Sequence, residues 1–463
     1  MNFKQKIKNW YLAYKDARIT DYYSNKKMKI SDLRHDLAYF KFYVKGLYHL
    51  MTRSNWKRTQ RKELVKMLQY AIKHSAFFKE KVGDISINED NVLSVLKKFP
   101  TITKQTIIDN KWNIFSDEVP HDFKYWRETG GSTGVPLKYP SLASSYYIED
   151  VCQMMLYHMM GFFWGDTVVY FGGDRVTEEK INKNEYWFKS KNLPYGKYIY
   201  CIRYLNDDTF PYYIESLNKV NPKFLRGFTS SVKEFCRFVK KKNIKLQFQL
   251  KGIYLTSESA TLEDRKYIES VLHCPVWGQY GHTECSIFAI AKPNDLTYYA
   301  NPLYGYTEIL DEDGNQVAEG SIGEITVTGF NILGIPFVRY RTGDLAVFGG
   351  ETKYGETILK ELLGRSRDFL YDDKGNKVYA LSLLFDAGNL NLLDYIKAWQ
   401  IEQNEEGFII VRIIKDDTYN KAIEKDLINV FKYKNITINI VYVDDIAKTK
   451  RGKHKFIIQN YKK

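Results

Sequence analysis

Between about residue 120 and residue 290, apolar runs of strand length alternate with amphipathic helical stretches, and this rhythm narrows the fold more than any other feature. "DTVVYFGG" reads as a strand into a glycine turn, "SSVKEFCRFVKKKNI" as a helix, "LKGIYLTSES" as a strand and "LEDRKYIESVLH" as a helix. A chain that returns through a helix to the same sheet edge must lay its next strand parallel to the last. The segment therefore predicts a parallel sheet with crossover helices, within an α/β lobe. Upstream, residues 1–100 read as mostly helical and basic. "RKELVKMLQYAIKHSAFFKEKV" repeats apolar residues at three-to-four spacing, and "KKFPTITKQTIIDN" gives a proline stop, a threonine cap and a new helix. Downstream, "YTEILDEDGNQVAEGSIGEITVTGF" is a strand pair about an Asp-Gly turn. After "LLGRSRDFL" come a hairpin at "DDKGNK", a helix, the strand "GFIIVRII", a helix and the strand "ITINIVYV". The expected organisation is a helical region at 1–100, the rest of a large lobe at 101–364, and a small α+β domain at 365–463.

Composition enters as a bound. With 44% hydrophobic and 27% charged residues over 463 positions, the chain reads as soluble and globular. Its most apolar window, "VCQMMLYHMMGFFWGDTVVYF", is interrupted by Gln153, His158, Gly161 and Asp166, so it predicts a buried helix, a turn and a core strand rather than a bilayer span. The opening "MNFKQKIKNWYLAYKDARITDYY" has no apolar signal core. Five cysteines without tight spacing suit reduced thiols in the cytoplasm. Cys274 and Cys285 flank His282 but lack paired C-x-x-C spacing, which speaks against zinc. The net charge of +14 is concentrated in runs such as "NKKMK" and "NWKRTQRKELVK". A solvated helical face is the first reading of it, and association with the inner face of a membrane the second. No nucleic-acid-binding module is recognisable.

The stretch "YWRETGGSTGVPLKY" packs glycines and hydroxyls together at Gly130–Gly134. It fits a nucleophile elbow presenting Ser132, and equally a cradle whose backbone N–H groups converge on phosphate. It is not a Walker loop, because Val135-Pro136 follows the last glycine. A hydrolase would also need an acid and a histidine, nominally Asp444 and His454, yet His454 lies between two lysines. In "VWGQYGHTECS", Glu284 after a glycine turn reads as a helix start or as a Mg²⁺ ligand. In "FVRYRTGDLAVF", Asp344 reads as a Gly-Asp turn or as a carboxylate for ribose hydroxyls. Arg365 in "LLGRSRDFL" and Lys453 in "AKTKRGKHKF" read as surface charges or as cations for a nucleotide.

Taken in order, "TGGSTGVP", "YGHTE", "YRTGDL", "GRSRD" and "KTKRGK" resemble the adenylate-forming superfamily of acyl-CoA synthetases, luciferases and peptide-synthetase adenylation domains. Within it, "FPTITKQTI" and "SIGEITVTGF" are most similar to the phenylacetate–CoA ligase-like, CapK-type branch of capsular polysaccharide synthesis, from about residue 75 onward. The resemblance implies ATP and Mg²⁺ as cofactors. It assigns Thr129, Gly131, Ser132, Thr133 and Gly134 to the β- and γ-phosphates, and Ser257, Glu258 and Ser259 to the adenine. It sets Gln279, Tyr280 and Gly281 against the base, Thr283 at the α-phosphate and Glu284 on Mg²⁺. Asp344 and Arg365 take the ribose, and Lys453 the reacting carboxylate. A hinge would fall near Gly364, at Arg367 or Asp368. The implied reaction activates a small carboxylic acid as its acyl-AMP, then transfers the acyl group to a thiol (coenzyme A or a carrier protein), an amine or a hydroxyl. Acid, acceptor and oligomeric state stay open. A non-catalytic scaffold of polysaccharide assembly is the alternative.

Overall fold

The structure is a computed structural model that describes residues 55–119, 126–128, 137–140, 144–163, 165–172, 176–190, 196–258, 260–365, 369–379, 396–415, 419–432, 434–446 and 457–461. The helical opening is present over its described part, as α1 (Trp56–His74), α2 (Ala76–Val82), α3 (Val92–Leu96) and α4 (Lys104–Ile114). The run 61–82 reads as one helix but breaks at Ser75. That residue is extended and buried, and its Oγ donates to the carbonyls of Asn113 and Ile114 at 3.2 and 3.1 Å, which closes the end of α4. A tertiary bond overrides the local helical period here. Thr103 caps α4 as its sequence suggests, accepting from the Thr106 N–H at 3.1 Å.

Two short strands, β1 (Trp126–Glu128) and β2 (Lys138–Pro140), pair antiparallel and bracket the glycine-rich stretch. Helix α5 (Ser144–Met159) follows, so the apolar window is indeed helix, turn and strand. The strands β3 (Val168–Gly172), β4 (Trp187–Lys189), β5 (Tyr198–Cys201), β6 (Phe224–Gly227), β7 (Gly252–Thr256) and β8 (Val276–Gly281) come next. Between them lie α6 (Glu178–Asn182), α7 (Phe210–Val220), α8 (Thr229–Lys241) and α9 (Leu262–Leu272). Strands β5, β3, β6, β7 and β8 are mutually parallel, as the rhythm required. The β-rich half adds β9 (Phe288–Ala291), β10 (Tyr298–Ala300), β11 (Gly305–Leu310), β12 (Ile322–Gly329), β13 (Tyr340–Glu351) and β14 (Thr357–Arg365), all antiparallel to their neighbours. Both halves form one twelve-stranded sheet, in the order β11-β12-β13-β14-β10-β9-β8-β7-β6-β3-β5-β4. The parallel-to-antiparallel switch falls at β8.

The small domain contains the predicted hairpin, β15 (Phe369–Tyr371) with β16 (Lys377–Tyr379). It continues with β17 (Ile396–Glu405), β18 (Phe408–Lys415), α10 (Lys421–Lys432), β19 (Thr437–Tyr442) and β20 (Ile457–Gln459). Its four-stranded sheet, β19-β18-β17-β20, encloses a core of its own around Trp399, Ile401, Val411, Leu427 and Phe431. The chain is thus a large mixed α/β lobe followed by a small α+β domain. No helix among the described residues is long and apolar enough to cross a membrane.

Candidate functional site

Strand β8 is the last of the parallel run, and open α/β sheets bind ligands beyond the carboxyl ends of their parallel strands. Its last residues are Gln279, Tyr280 and Gly281, three of the expected nucleotide contacts. Thr256 Oγ1, at the end of β7, donates to Gln279 Oε1 at 2.5 Å, tying two neighbouring strand ends together. A Cβ on Gly281 would lie 2.7 Å from Gln279 Nε2 and 3.0 Å from the Ile287 carbonyl oxygen, so a larger residue would push the Gln279 amide aside. The segment 282–287 then turns into the antiparallel β9. No helix begins at Glu284, which removes the plain structural reading of that residue.

Glu284 is buried, with 9% of its surface exposed. Its Oε1 accepts from the Tyr340 hydroxyl at 3.1 Å, and its Oε2 lies 3.1 Å from His282 Nδ1. Burial alone would push this carboxyl up. The His282 ring, backbone donation and the Tyr340 phenol outweigh it and hold the group down at about 2. Glu284 is therefore ionised throughout the physiological range. Burial and the adjoining Glu284 charge in turn push the Tyr340 phenol up, so it remains a donor.

Asp344 belongs to β13 rather than to a free turn. Gly343 takes φ +78°, and its N–H donates to Glu324 Oε1 at 2.8 Å while the strand runs on. Thr342 Oγ1 donates to the Ile325 carbonyl at 2.8 Å and accepts from the Asp344 N–H at 3.1 Å. These bonds fix the carboxylate where it meets two partners. The Tyr280 hydroxyl donates to Oδ2 at 2.7 Å, and Arg365, its register partner on β14, brings Nε to 3.3 Å from Oδ1. Burial and the Asp344 charge raise the Tyr280 phenol, which keeps its proton.

The glycine-rich stretch connects to this group through its arms. Arg127 of β1 donates from Nη1 to the Thr283 carbonyl at 3.1 Å, and Tyr139 of β2 donates its hydroxyl to the same oxygen at 2.7 Å. Arg127 Nη1 also lies 2.8 Å from Cys285 Sγ. The Tyr139 ring packs edge-on against Phe337 at 5.3 Å, and Phe337 against Tyr340 at 5.1 Å. Hydrogen bonds and ring contacts thus join the hairpin, Thr283, Glu284 and β13, while Tyr280 joins Asp344 and Arg365 to the same strand end.

Two expected contacts are engaged elsewhere or strained. Ser257 follows β7 with φ +65°, an unusual conformation for a non-glycine residue. The Glu258 carboxylate is turned to the start of α8, accepting from the Ser230 N–H at 2.8 Å and its Oγ at 3.0 Å. Its side chain serves a helix N-terminus. Thr129, Gly131, Ser132, Thr133, Gly134, Ser259, Arg367, Asp368, Lys453 and His454 lie outside the described residues. Asp444, the acid a hydrolase would need, is exposed beyond β19.

Arg127, Tyr139, His282 and Tyr340 escaped assignment from sequence although each sits inside or beside a recognised motif. Adjacency was the only signal available. The carbonyl that Arg127 and Tyr139 converge on, and the carboxylate that Tyr340 serves, are visible only in three dimensions.

The 2-hydroxyisobutyryl-CoA ligase solved in the postadenylation state with R3-HIB-AMP matches with a TM-score of 0.68 at 16% identity, covering 87% of this chain and 89% of that one. The AtGH3.15 acyl acid amido synthetase in complex with 2,4-DB matches with a TM-score of 0.57 at 17% identity, covering 86% and 89%. The fold is that of the adenylate-forming enzymes. Residues 370–460 match the CapK C-terminal domain family. Protein CapK of Staphylococcus aureus is 25% identical over 432 residues, 92% of this chain and 94% of that protein. Within the adenylate-forming fold, this chain is similar to CapK over most of its length.

Proposed function

We propose that the chain activates a carboxylic acid at the expense of ATP, releasing pyrophosphate, and then passes the acyl group to a thiol, amine or hydroxyl acceptor. A carboxylate has no leaving group better than oxide. Attack on the α-phosphorus of ATP converts it into an acyl-AMP, whose leaving group is good. Such phosphoryl chemistry depends on positioning and charge neutralisation. The observation that carries the reading is the convergence at one strand end of Thr283, Glu284 and Asp344 with both arms of the glycine-rich hairpin.

In this reading Asp344, held between Tyr280 and Arg365, accepts the ribose hydroxyls. The strands that flank the glycine-rich stretch are bonded to Thr283, and the glycines and hydroxyls of that stretch would serve the outer phosphates. Glu284 is an ionised carboxylate of the kind a hard cation takes, and it fits a metal that shares its remaining ligands with a nucleotide. Mg²⁺, when bound, would withdraw charge from the phosphates, with Glu284 as its protein ligand. Lys453 of the small domain would offset the charge developing on the carboxylate and α-phosphate. The small domain would then rotate about a hinge near Gly364 for acyl transfer. Coenzyme A, a carrier-protein thiol and a sugar amine all suit the acceptor role, and the CapK likeness points to surface polysaccharide synthesis inside the cell.

The test is carboxylate-dependent ATP–pyrophosphate exchange over aryl, fatty, amino and uronic acids. Lys453→Ala should lower exchange by roughly 10²–10³, as loss of one preorganised donor does. Undiminished exchange in that variant would remove Lys453 from the mechanism. A wild-type protein that neither exchanges nor binds Mg–ATP in calorimetry would be a scaffold instead.

A further inference from the structure

His282 opens the turn that follows β8, and each backbone carbonyl from His282 to Cys285 already has a donor. The Cys285 N–H donates to the His282 carbonyl at 3.1 Å, and Arg127 and Tyr139 hold that of Thr283. Ser286 Oγ donates to the Glu284 carbonyl at 3.0 Å and Asn331 Nδ2 to that of Cys285 at 3.2 Å. The His282 ring packs edge-on against Tyr340 at 6.3 Å, and its side chain is only 10% exposed. Cys285 turns its sulfur to Arg127. Backbone and ring are thus held in place by neighbours, as a binding group must be if it is to be ready before its ligand arrives.

Within this fixed turn the imidazole is left over. Neither Nδ1 nor Nε2 makes a hydrogen bond among the described residues, although both are buried. Nδ1 lies 3.1 Å from Glu284 Oε2, close enough for a bond, yet a ring N–H would not point at the oxygen. Buried polar groups are almost always paired, and an imidazole nitrogen is either an N–H or a lone pair. Two donors that bind one cation at right angles, each about 2.1 Å from it, stand about 3 Å apart and do not point at each other. The separation of His282 from Glu284 is of that size. Oε1 of the same carboxylate is taken by Tyr340, which leaves Oε2 on the histidine side.

We propose that His282 is a second protein ligand, beside Glu284, for the divalent cation that accompanies the nucleotide. The site then favours a cation that accepts nitrogen, of which Mn²⁺ is the type, over Mg²⁺. The inference rests on the ligase reading above for the nucleotide. No cluster of three or more His, Cys, Asp or Glu side chains among the described residues could hold a metal, so this pair supplies two positions and phosphate oxygens and water supply the others. Mg²⁺ is held by oxygen, whereas imidazole suits the first-row transition ions, whose affinities rise from Mn²⁺ onward.

The experiment is pulsed EPR of the full chain with Mn²⁺ and ATP, without acid substrate, on protein grown with ¹⁵N-histidine and on unlabelled protein. Phosphorus coupling reports the nucleotide on the cation, and a signal that changes with the histidine isotope reports the ring. Expected are both couplings in the wild type and loss of the histidine coupling in His282→Gln. In calorimetry the preference of the ATP complex for Mn²⁺ over Mg²⁺ should fall about 10–100-fold in that variant, the scale on which groups of a metal site act. Should His282→Gln not fold, the isotope difference in the wild type decides alone. Phosphorus coupling without histidine coupling, or histidine coupling that survives in His282→Gln, overturns the proposal and leaves the ligase reading standing. Histidine coupling from Mn²⁺ alone, lost in His282→Gln, in a protein that neither binds ATP nor exchanges with any acid, supports the cation site and sinks the ligase reading instead. Neither coupling under any condition overturns the proposal.

Discussion

Removing the Tyr340 hydroxyl is the sharpest probe of how the site is built. In Tyr340→Phe the ring still packs on Phe337, but Glu284 Oε1 loses the donor that stands 3.1 Å away. Both residues are buried, so water does not replace the bond freely. A hydrogen bond to a charged group contributes about 1.5–3 kcal/mol, and the variant should lose that much stability at pH 7. The pH dependence follows from linkage. The Glu284 pKa is depressed from an ordinary value of about 4.3 to about 2. Its contribution is therefore complete above about pH 4.3 and is lost as pH falls toward about 2. Without the phenol the folded pKa moves back up, so the gap between wild type and Tyr340→Phe should be largest at neutral pH and shrink below about pH 4. Urea unfolding of both proteins from pH 7 to pH 3, in buffer free of divalent cations, measures it. An equal midpoint at pH 7, or a gap that does not change with pH, would refute a role for the Tyr340 phenol in holding Glu284 ionised.

Two other perturbations follow from contacts at and beside the site. Arg127→Met and Tyr139→Phe each remove a donor to the Thr283 carbonyl, and each should raise the KM for ATP about 2–10-fold. Because they share an acceptor, the double variant should depart from additivity; strictly additive effects would mean the two arms act separately. Arg339 forms a buried ion pair with Glu308 at 3.2 Å and also donates to the carbonyls of Phe99 and Gly314. Arg339→Met should cost about 3–5 kcal/mol by leaving that carboxylate alone, and adding Glu308→Gln should recover part of it. A single variant with wild-type denaturation midpoint would contradict this.

What could be read from sequence was whatever repeats along the chain. Period-2 and period-3.6 patterns announced the parallel strands from Val168 onward, the crossover helices α8 and α9, the Asp-Gly hairpin and the α+β ending, because side-chain alternation is a property of neighbours in the chain. The short motifs around Glu284 and Asp344 were legible for the same reason, and their order along the chain carried the resemblance to adenylate-forming enzymes. Where a distant contact decided the conformation, local reading failed. Ser75 broke one helix into two to bond the end of α4, and the Gly343-Asp344 pair became part of a long strand because Glu324 holds the Gly343 N–H while the Thr342 hydroxyl, bonded to Ile325, holds that of Asp344.

The sequence by itself settled the elements and the residue types on offer: a glycine-hydroxyl stretch, an acid after "YGH", another after "RTG". It could not say that Arg127 and Tyr139 share one carbonyl or that Tyr280 reaches Asp344. Those facts depend on strand register and on which way each element is packed, and residues 64 or 144 positions apart have no local pattern that relates them. Only the assembled sheet, by placing β8 beside β9 and Asp344 opposite Arg365, turned scattered letters into one site.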